Sequence, residues 1–122
     1  MSQRLCALVL VLYHSVLEMA RHSGMRVFKT KPFVRFASRE GIGDEELCEA
    51  VSQAERGLID ADLGGGVIKQ RLAREGRGKS GGFRSIILFR RSSKAFFVYG
   101  FAKSDRDNIR RDELKAFRTL AK

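Results

Sequence analysis

Three apolar segments dominate the second half of the chain: Val67-Ile-Lys-Gln-Arg-Leu72, Phe83-Arg-Ser-Ile-Ile-Leu-Phe89 and Ala95-Phe-Phe-Val-Tyr-Gly-Phe101. Each is of strand length, and each is bounded by glycine, serine and cations of the kind that form turns. This succession is a meander, so the fold must be built around a small antiparallel sheet. In the first segment, period-two alternation puts Ile68 and Leu72 on one face and Lys69 and Arg71 on the other. The third segment is apolar on both faces, as expected of a central strand covered by helices on one side and partly by loops on the other.

The residues before the meander supply the cover. Met25 to Thr30 reads as a short strand, and Pro32 suits the first turn of a helix because its missing N–H has no intrahelical partner there. Phe33, Phe36 and Ala37 share a face of that helix, and Gly41 can end it. Gly43-Asp-Glu-Glu46 opens a second helix whose acids complement the positive end of the helix dipole. Leu47, Val51, Ala54 and Leu58 give it an apolar stripe, and Gly64-Gly-Gly66 breaks the pattern before Val67. After the meander, Ser104 or Asp105 can cap a last helix carrying Ile109, Leu114, Phe117 and Leu120, a set that drifts from one strict stripe and suits loose packing or cover by a partner. The expected class is α+β, in the order β-α-α-β-β-β-α, with helices packed on the sheet.

Length fits one domain: 122 residues lie within the usual range for a single core. The 24 Lys and Arg against 14 Asp and Glu leave a formal charge of +10, which favours a polyanionic partner. A hydrophobic content of 43% with nine Phe excludes a disordered basic tail. Charge is also partitioned along the chain. Cations crowd residues 69 to 94 with Glu75 as the single acid, whereas acids crowd residues 44 to 62 with Arg56 as the single cation. On this reading the meander is the polyanion face and the second helix lies away from it.

Residues 1–24 stand apart. Leu5 to Tyr13 is an apolar run behind Arg4, superficially like the core of a signal peptide, but too short to span a bilayer, which takes about 20 residues. Residues 1–24 are expected to be a leader or an N-terminal extension, native or not, ahead of a main domain at 25–122 that begins at Met25. Cys6 and Cys48 have neither disulfide-framework nor zinc-site spacing, so a reduced, cytoplasmic protein with no metal and no cofactor is expected. His14 and His22 both precede Met25, which leaves the main domain no histidine for acid–base chemistry.

Gly78-Lys-Ser80 invites comparison with a phosphate-binding loop, but that motif needs a glycine where Ala73 stands and a helix where a strand follows. A flexible basic turn that lets Arg77 and Lys79 reach a nucleic-acid backbone is the better reading. The cations could form a solvated, non-specific surface. Their order favours a site: Lys69 and Arg71 on one strand, a glycine-rich loop, then Arg84 at the start of the next, where it would contribute little core area. Tyr99 is read as packing.

Ile68-Lys-Gln-Arg71, Gly78-Lys-Ser-Gly-Gly-Phe-Arg84 and Phe97-Val-Tyr-Gly-Phe-Ala-Lys103, followed by Asn108-Ile109 and Glu113-Leu114, resemble a HigB-type branch of the RelE/ParE toxin superfamily. The resemblance runs from Met25 to the C-terminus. It implies a type II toxin, ribosome-dependent cleavage of mRNA, and neutralisation by an antitoxin, often one carrying a helix-turn-helix domain. It also carries paired strand cations onto Lys69 and Arg71, the arginine of the next strand onto Arg84, and a basic residue after the last strand onto Lys103. Where some relatives have a tyrosine in the last helix, this chain has Arg110.

Metal-free RNA cleavage needs a base for the 2′-hydroxyl, charge on the phosphorane and a proton for the leaving oxygen. Lys69, set beside Arg71 and Arg84, is the candidate base. Arg71 and Arg84 are the phosphate clamp, and Lys79 or Lys103 the source of a proton or further charge. The near absence of acids from 69 to 94 argues against a two-metal nuclease, whose ions need carboxylate ligands. Two other readings stay open: a ParE-like toxin that inhibits DNA gyrase, and a non-catalytic RNA-binding module.

Overall fold

The structure, a computed structural model, describes residues 16–22, 25–72, 82–90, 94–102 and 109–121. In these, the chain runs β1 (Val16–His22), β2 (Met25–Thr30), α1 (Lys31–Glu40), α2 (Asp44–Glu55), β3 (Ala61–Gly64), β4 (Val67–Leu72), β5 (Phe83–Arg90), β6 (Lys94–Ala102) and α3 (Arg111–Ala121). The strands form one six-stranded sheet in the order β1-β2-β6-β5-β4-β3. Five of the strands lie at or after Met25. All neighbours pair antiparallel except β2 and β6, which are parallel.

The expected meander is β4-β5-β6, and β6 is central as its apolar pattern required, with β5 beside it. Two strands escaped the sequence reading. β1 pairs along β2 from Val16 with Thr30 to His22 with Met25, so part of the segment set aside as a leader forms a sheet edge. β3 was hidden because Asp62, Leu63 and Gly64 carry no alternation. It pairs with β4 through a tight turn in which Gly64, Gly65 and Gly66 all take positive φ. The glycines therefore turn a hairpin and do not break a helix. That helix, α2, has already ended at Glu55, so Leu58 falls off its stripe and is 61% exposed.

Helices cover both faces. α1 and α2 bury Phe33, Phe36, Leu47 and Val51 against Val27, Ile68, Leu72, Ile87 and Phe97. α3 buries Ala116, Phe117 and Ala121 against Val67, Ile86, Leu88, Phe96 and Val98. The second face is thus closed by a helix rather than by loops, and α3 is packed rather than loose. Its apolar set is discontinuous in sequence because Arg118 takes a place beside the β3–β4 turn, where its guanidinium donates to the Leu63 carbonyl. α3 begins at Arg111, so Arg110 precedes it and donates its backbone N–H to Glu113 Oε1 at 2.7 Å. Ser104 and Asp105, the expected caps, lie outside the described residues.

Local signals hold elsewhere. Pro32 sits in the first turn of α1, and Gly41 ends that helix in the left-handed conformation. Thr30, fully buried, ties three elements together: its hydroxyl accepts from the Phe33 N–H at 3.4 Å, capping α1, and lies 3.3 Å from the Phe97 carbonyl of β6. Between Ile86 and Ile87 the β5–β6 register shifts, leaving Val98 as an extra residue, so Phe97 and Tyr99 fall on opposite faces.

Gly100 admits the ring of Phe36 onto the sheet, since a Cβ there would stand 2.3 Å from Phe36 Cε2. Gly100→Ala is therefore expected to overpack the α1 face and cost about 1–3 kcal/mol. Urea denaturation should show a lower midpoint at an unchanged slope.

Candidate active site

Register decides which cations meet. Arg71 of β4 is directly opposite Arg84 of β5, and Lys69 is two pairs further along, opposite Ile86. Residues directly opposed in an antiparallel pair point to the same face, so all three stand on the α3 side of the sheet, as the alternation of β4 required. On the next strand the same rows continue with Phe101 opposite Arg84 and Tyr99 opposite Ile86. Tyr99 is half-buried with its ring 5.9 Å from that of Phe101, so it packs as expected while sharing the face of the cations.

Arg84 differs from its expected setting. Instead of lying at an open strand start, it is 6% exposed. Arg71, across from it, has half of its side chain in solvent. Like charges directly opposed in a sheet repel, and a buried guanidinium needs a counter-charge. Both requirements are met by Asp60, which precedes β3. Its Oδ2 is 3.1 Å from Arg84 Nε and its Oδ1 is 3.5 Å from Arg71 Nε. One carboxylate thus bridges the two cations at their Nε edges. Arg84 Nη1 is buried and has no hydrogen-bond partner among the described residues.

Asp60 is itself held. Gln70, 2% exposed and pointing to the opposite face, accepts the Asp60 N–H at 2.9 Å and donates to the Ala50 carbonyl at 3.1 Å and the Leu58 carbonyl at 2.9 Å. Its amide ties α2, the segment after it and β4 to one another. Ser85 closes the set by donating to the Gln70 carbonyl at 3.1 Å. Neither Asp60 nor Gln70 was singled out in the sequence. Gln70 carries one signal, a polar residue at the inward position between Ile68 and Leu72.

Beside the arginines a cleft of about 330 Å³ is lined by Glu45, Glu46, Glu49, Ala50 and Gln53 of α2 with Arg71, Leu72 and Arg84. The acidic helix therefore borders the cations, contrary to the separation expected from the charge blocks. Those blocks are distant in sequence but adjoin in space because α2 packs on β4. The site offers positive charge flanked by carboxylates, which can hold an anion while repelling a long stretch of nucleic-acid backbone on one side.

Arg77, Lys79 and Lys103 lie outside the described residues. Arg110 is paired with Asp112 at 3.3 Å and Glu113 at 3.6 Å. Burial, and then the charge of Asp44, push the Cys48 thiol up from its ordinary value, which keeps it protonated at neutral pH and unsuited to act as a nucleophile. No helix among the described residues is long and apolar enough to cross a membrane.

A family model described as the RelE toxin of the RelE / RelB toxin-antitoxin system matches residues 25–122. The chain belongs to the RelE toxin family. It is accordingly the toxin of a toxin–antitoxin pair, with a cognate antitoxin as partner. No curated protein matches it. The match starts at Met25, the first residue of β2, and takes in the strands that carry Lys69, Arg71 and Arg84.

Gln70→Leu should leave the Asp60 N–H and two carbonyls without their partner, at a cost of about 1–3 kcal/mol for each group that stays buried. The expected outcome is a lower melting temperature, with faster amide exchange at Asp60 than at residues of β5.

Proposed function

We propose that this RelE-family toxin is a metal-independent endoribonuclease that cleaves mRNA on the ribosome and so inhibits translation. The observation that carries the reading is the opposed pair Arg71–Arg84, joined on one face by Lys69, with a buried guanidinium nitrogen that no group among the described residues satisfies. In this reaction the 2′-oxygen attacks the adjacent phosphorus, the P–O5′ bond breaks, and a cyclic phosphate is left. A proton leaves the 2′-hydroxyl and another reaches the 5′-oxygen. Arg84 and Arg71 bind the non-bridging oxygens, whose charge grows in the phosphorane, and Lys69 takes the first proton. Lys79 or Lys103 supplies the second, and Arg77 with these lysines holds the RNA backbone. Ribosomal positioning of the mRNA offsets the lack of histidine.

The antitoxin, in this proposal a small protein with a helix-turn-helix domain, silences the toxin by covering or distorting the basic face. Residues 25–122 are the toxin domain in this proposal, the stretch that the RelE family model matches. The protein acts in the cytoplasm, where ribosomes and mRNA are.

The test is induced expression with 5′-end mapping of cellular mRNA, alongside a gyrase supercoiling assay. New mRNA ends with unimpaired gyrase are expected; the reverse would assign a ParE-like mode of action. Because Arg84 is buried, Arg84→Lys is the informative substitution, keeping the charge while removing the fork that binds two oxygens. Loss of a preorganised donor to developing charge costs on the order of 100- to 1,000-fold in rate, and that loss is expected for Arg84→Lys and for Lys69→Ala. Lys94→Ala, at the far end of β6, should weaken RNA binding only modestly and in a salt-dependent way. Parental cleavage by folded Arg84→Lys and Lys69→Ala proteins would sink the assignment. A chain starting at Met25 should fold and stay toxic, as read by circular dichroism and growth arrest.

A further inference from the structure

We infer that Asp60 is a positioning residue for the anion site: it fixes the two arginines by their Nε edges and thereby aims their terminal nitrogens at a phosphate. The inference rests on the proposed function for the identity of that phosphate, but its structural basis is independent of it.

A guanidinium has two Nη groups and one Nε–H. A carboxylate that engaged the two nitrogens of one outer edge of Arg84 would use up the donors that a phosphate needs. Asp60 does not do this. It meets Arg84 at Nε, 3.1 Å away, and Arg71 also at Nε, 3.5 Å away, splitting its two oxygens between the two side chains. Arg84 Nη1 stays buried and has no partner among the described residues. A buried polar donor of this kind is costly, and although Glu45, Glu46 and Glu49 line the adjoining cleft with Arg71 and Arg84, none of these carboxylates meets it, which points to an outside anion as the partner. Asp60 also lowers the repulsion that would otherwise swing the exposed arm of Arg71 away from Arg84.

The backbone that carries this carboxylate is anchored. The Asp60 N–H donates to the Gln70 amide oxygen, and the Gln70 amide is in turn held by the Ala50 carbonyl of α2 and the Leu58 carbonyl on the opposite face of the sheet. The carboxylate's place is therefore set by α2 and β4, which form the scaffold, and the arginines adjust to it. A simple masking charge would need no such anchor. The consequence is a split between binding and rate: removing the negative charge makes the face more attractive to RNA as a polyanion, while letting the arginines leave the geometry the reaction needs.

The experiment uses the full chain with Asp60→Asn and Asp60→Glu. Arginine Nε–Hε resonances are followed by NMR during titration with inorganic phosphate. Affinity for a short single-stranded RNA is measured at two salt concentrations, and mRNA cleavage is measured on programmed ribosomes. For Asp60→Asn, RNA affinity equal to or above the parent's is expected, with loss of the phosphate-induced shift at Arg84. Cleavage should fall on the order of 100-fold, the scale of a misplacement of about 1 Å. Asp60→Glu keeps the charge one methylene further out and should bind RNA like the parent while cleaving roughly tenfold more slowly.

Parental cleavage by both variants, with the Arg84 shift retained, would overturn the inference. So would a rise in affinity and rate together, which would make Asp60 a masking charge, or a joint fall in affinity, rate and melting temperature, which would make it merely structural. If Asp60→Asn does not fold, Asp60→Glu decides by the same rate and resonance criteria. If the parent cuts no mRNA yet the Arg84 shift depends on Asp60, the proposed reaction fails and the positioning role stands. The opposite pattern separates the two the other way.

Discussion

A guanidinium out of water must be met by a negative charge, and much of this molecule is arranged around that need at Arg84. The residue lies on β5, one of the two central strands, directly across from another arginine. Without a carboxylate between them the β4–β5 pairing would set two like charges face to face in a largely dry setting. Asp60 resolves the conflict, and it does so from outside the meander, immediately before the edge strand that pairs with β4. The ion pair therefore links the chemistry of the site to the placement of β3.

The apparatus that holds Asp60 lies on the opposite face of the sheet. Gln70 alternates with Lys69 and Arg71 along β4, so its amide turns toward α2 while the cations turn toward α3. One six-residue strand thus supplies active-face cations and, through a buried amide, the clamp that sets their counter-ion. This explains why a polar residue is retained at an inward position flanked by Ile68 and Leu72. A leucine there would add apolar burial, but would leave the Asp60 N–H and two carbonyls without the Gln70 amide.

The two faces differ in purpose because the helices are unequal in reach. α1 and α2 cover one face with phenylalanines and leucines, and Gly100 lets Phe36 come close to the sheet. α3 packs across the other face over Val67, Leu88 and Phe96, and the rows that carry Lys69, Arg71 and Arg84 lie further along the same strands. The extra residue at Val98 turns Tyr99 and Phe101 to the cation side, which gives the site an aromatic flank that regular alternation would have divided differently. The RelE-family order of elements is thereby used to make one apolar face and one that is apolar only in part.

What the sequence by itself determined is what local periodicity and caps encode. Alternation in β4 puts Lys69 and Arg71 on one face, the apolar β6 is central, and Pro32, Gly41 and Gly43 mark helix ends. The motifs from Ile68 to Lys103 already pointed to the family that the match over 25–122 shows. Tertiary structure decided the rest, because it depends on pairings between segments far apart in the chain. Arg84 is buried by its neighbours on β4 and β6 and has no local signature of burial. Asp60 becomes its counter-ion only once a four-residue strand without alternation pairs with β4. The acids of α2, a separate block in sequence, come to border the cations because an amphipathic helix must bury its stripe against the sheet, and its charged flank travels with it.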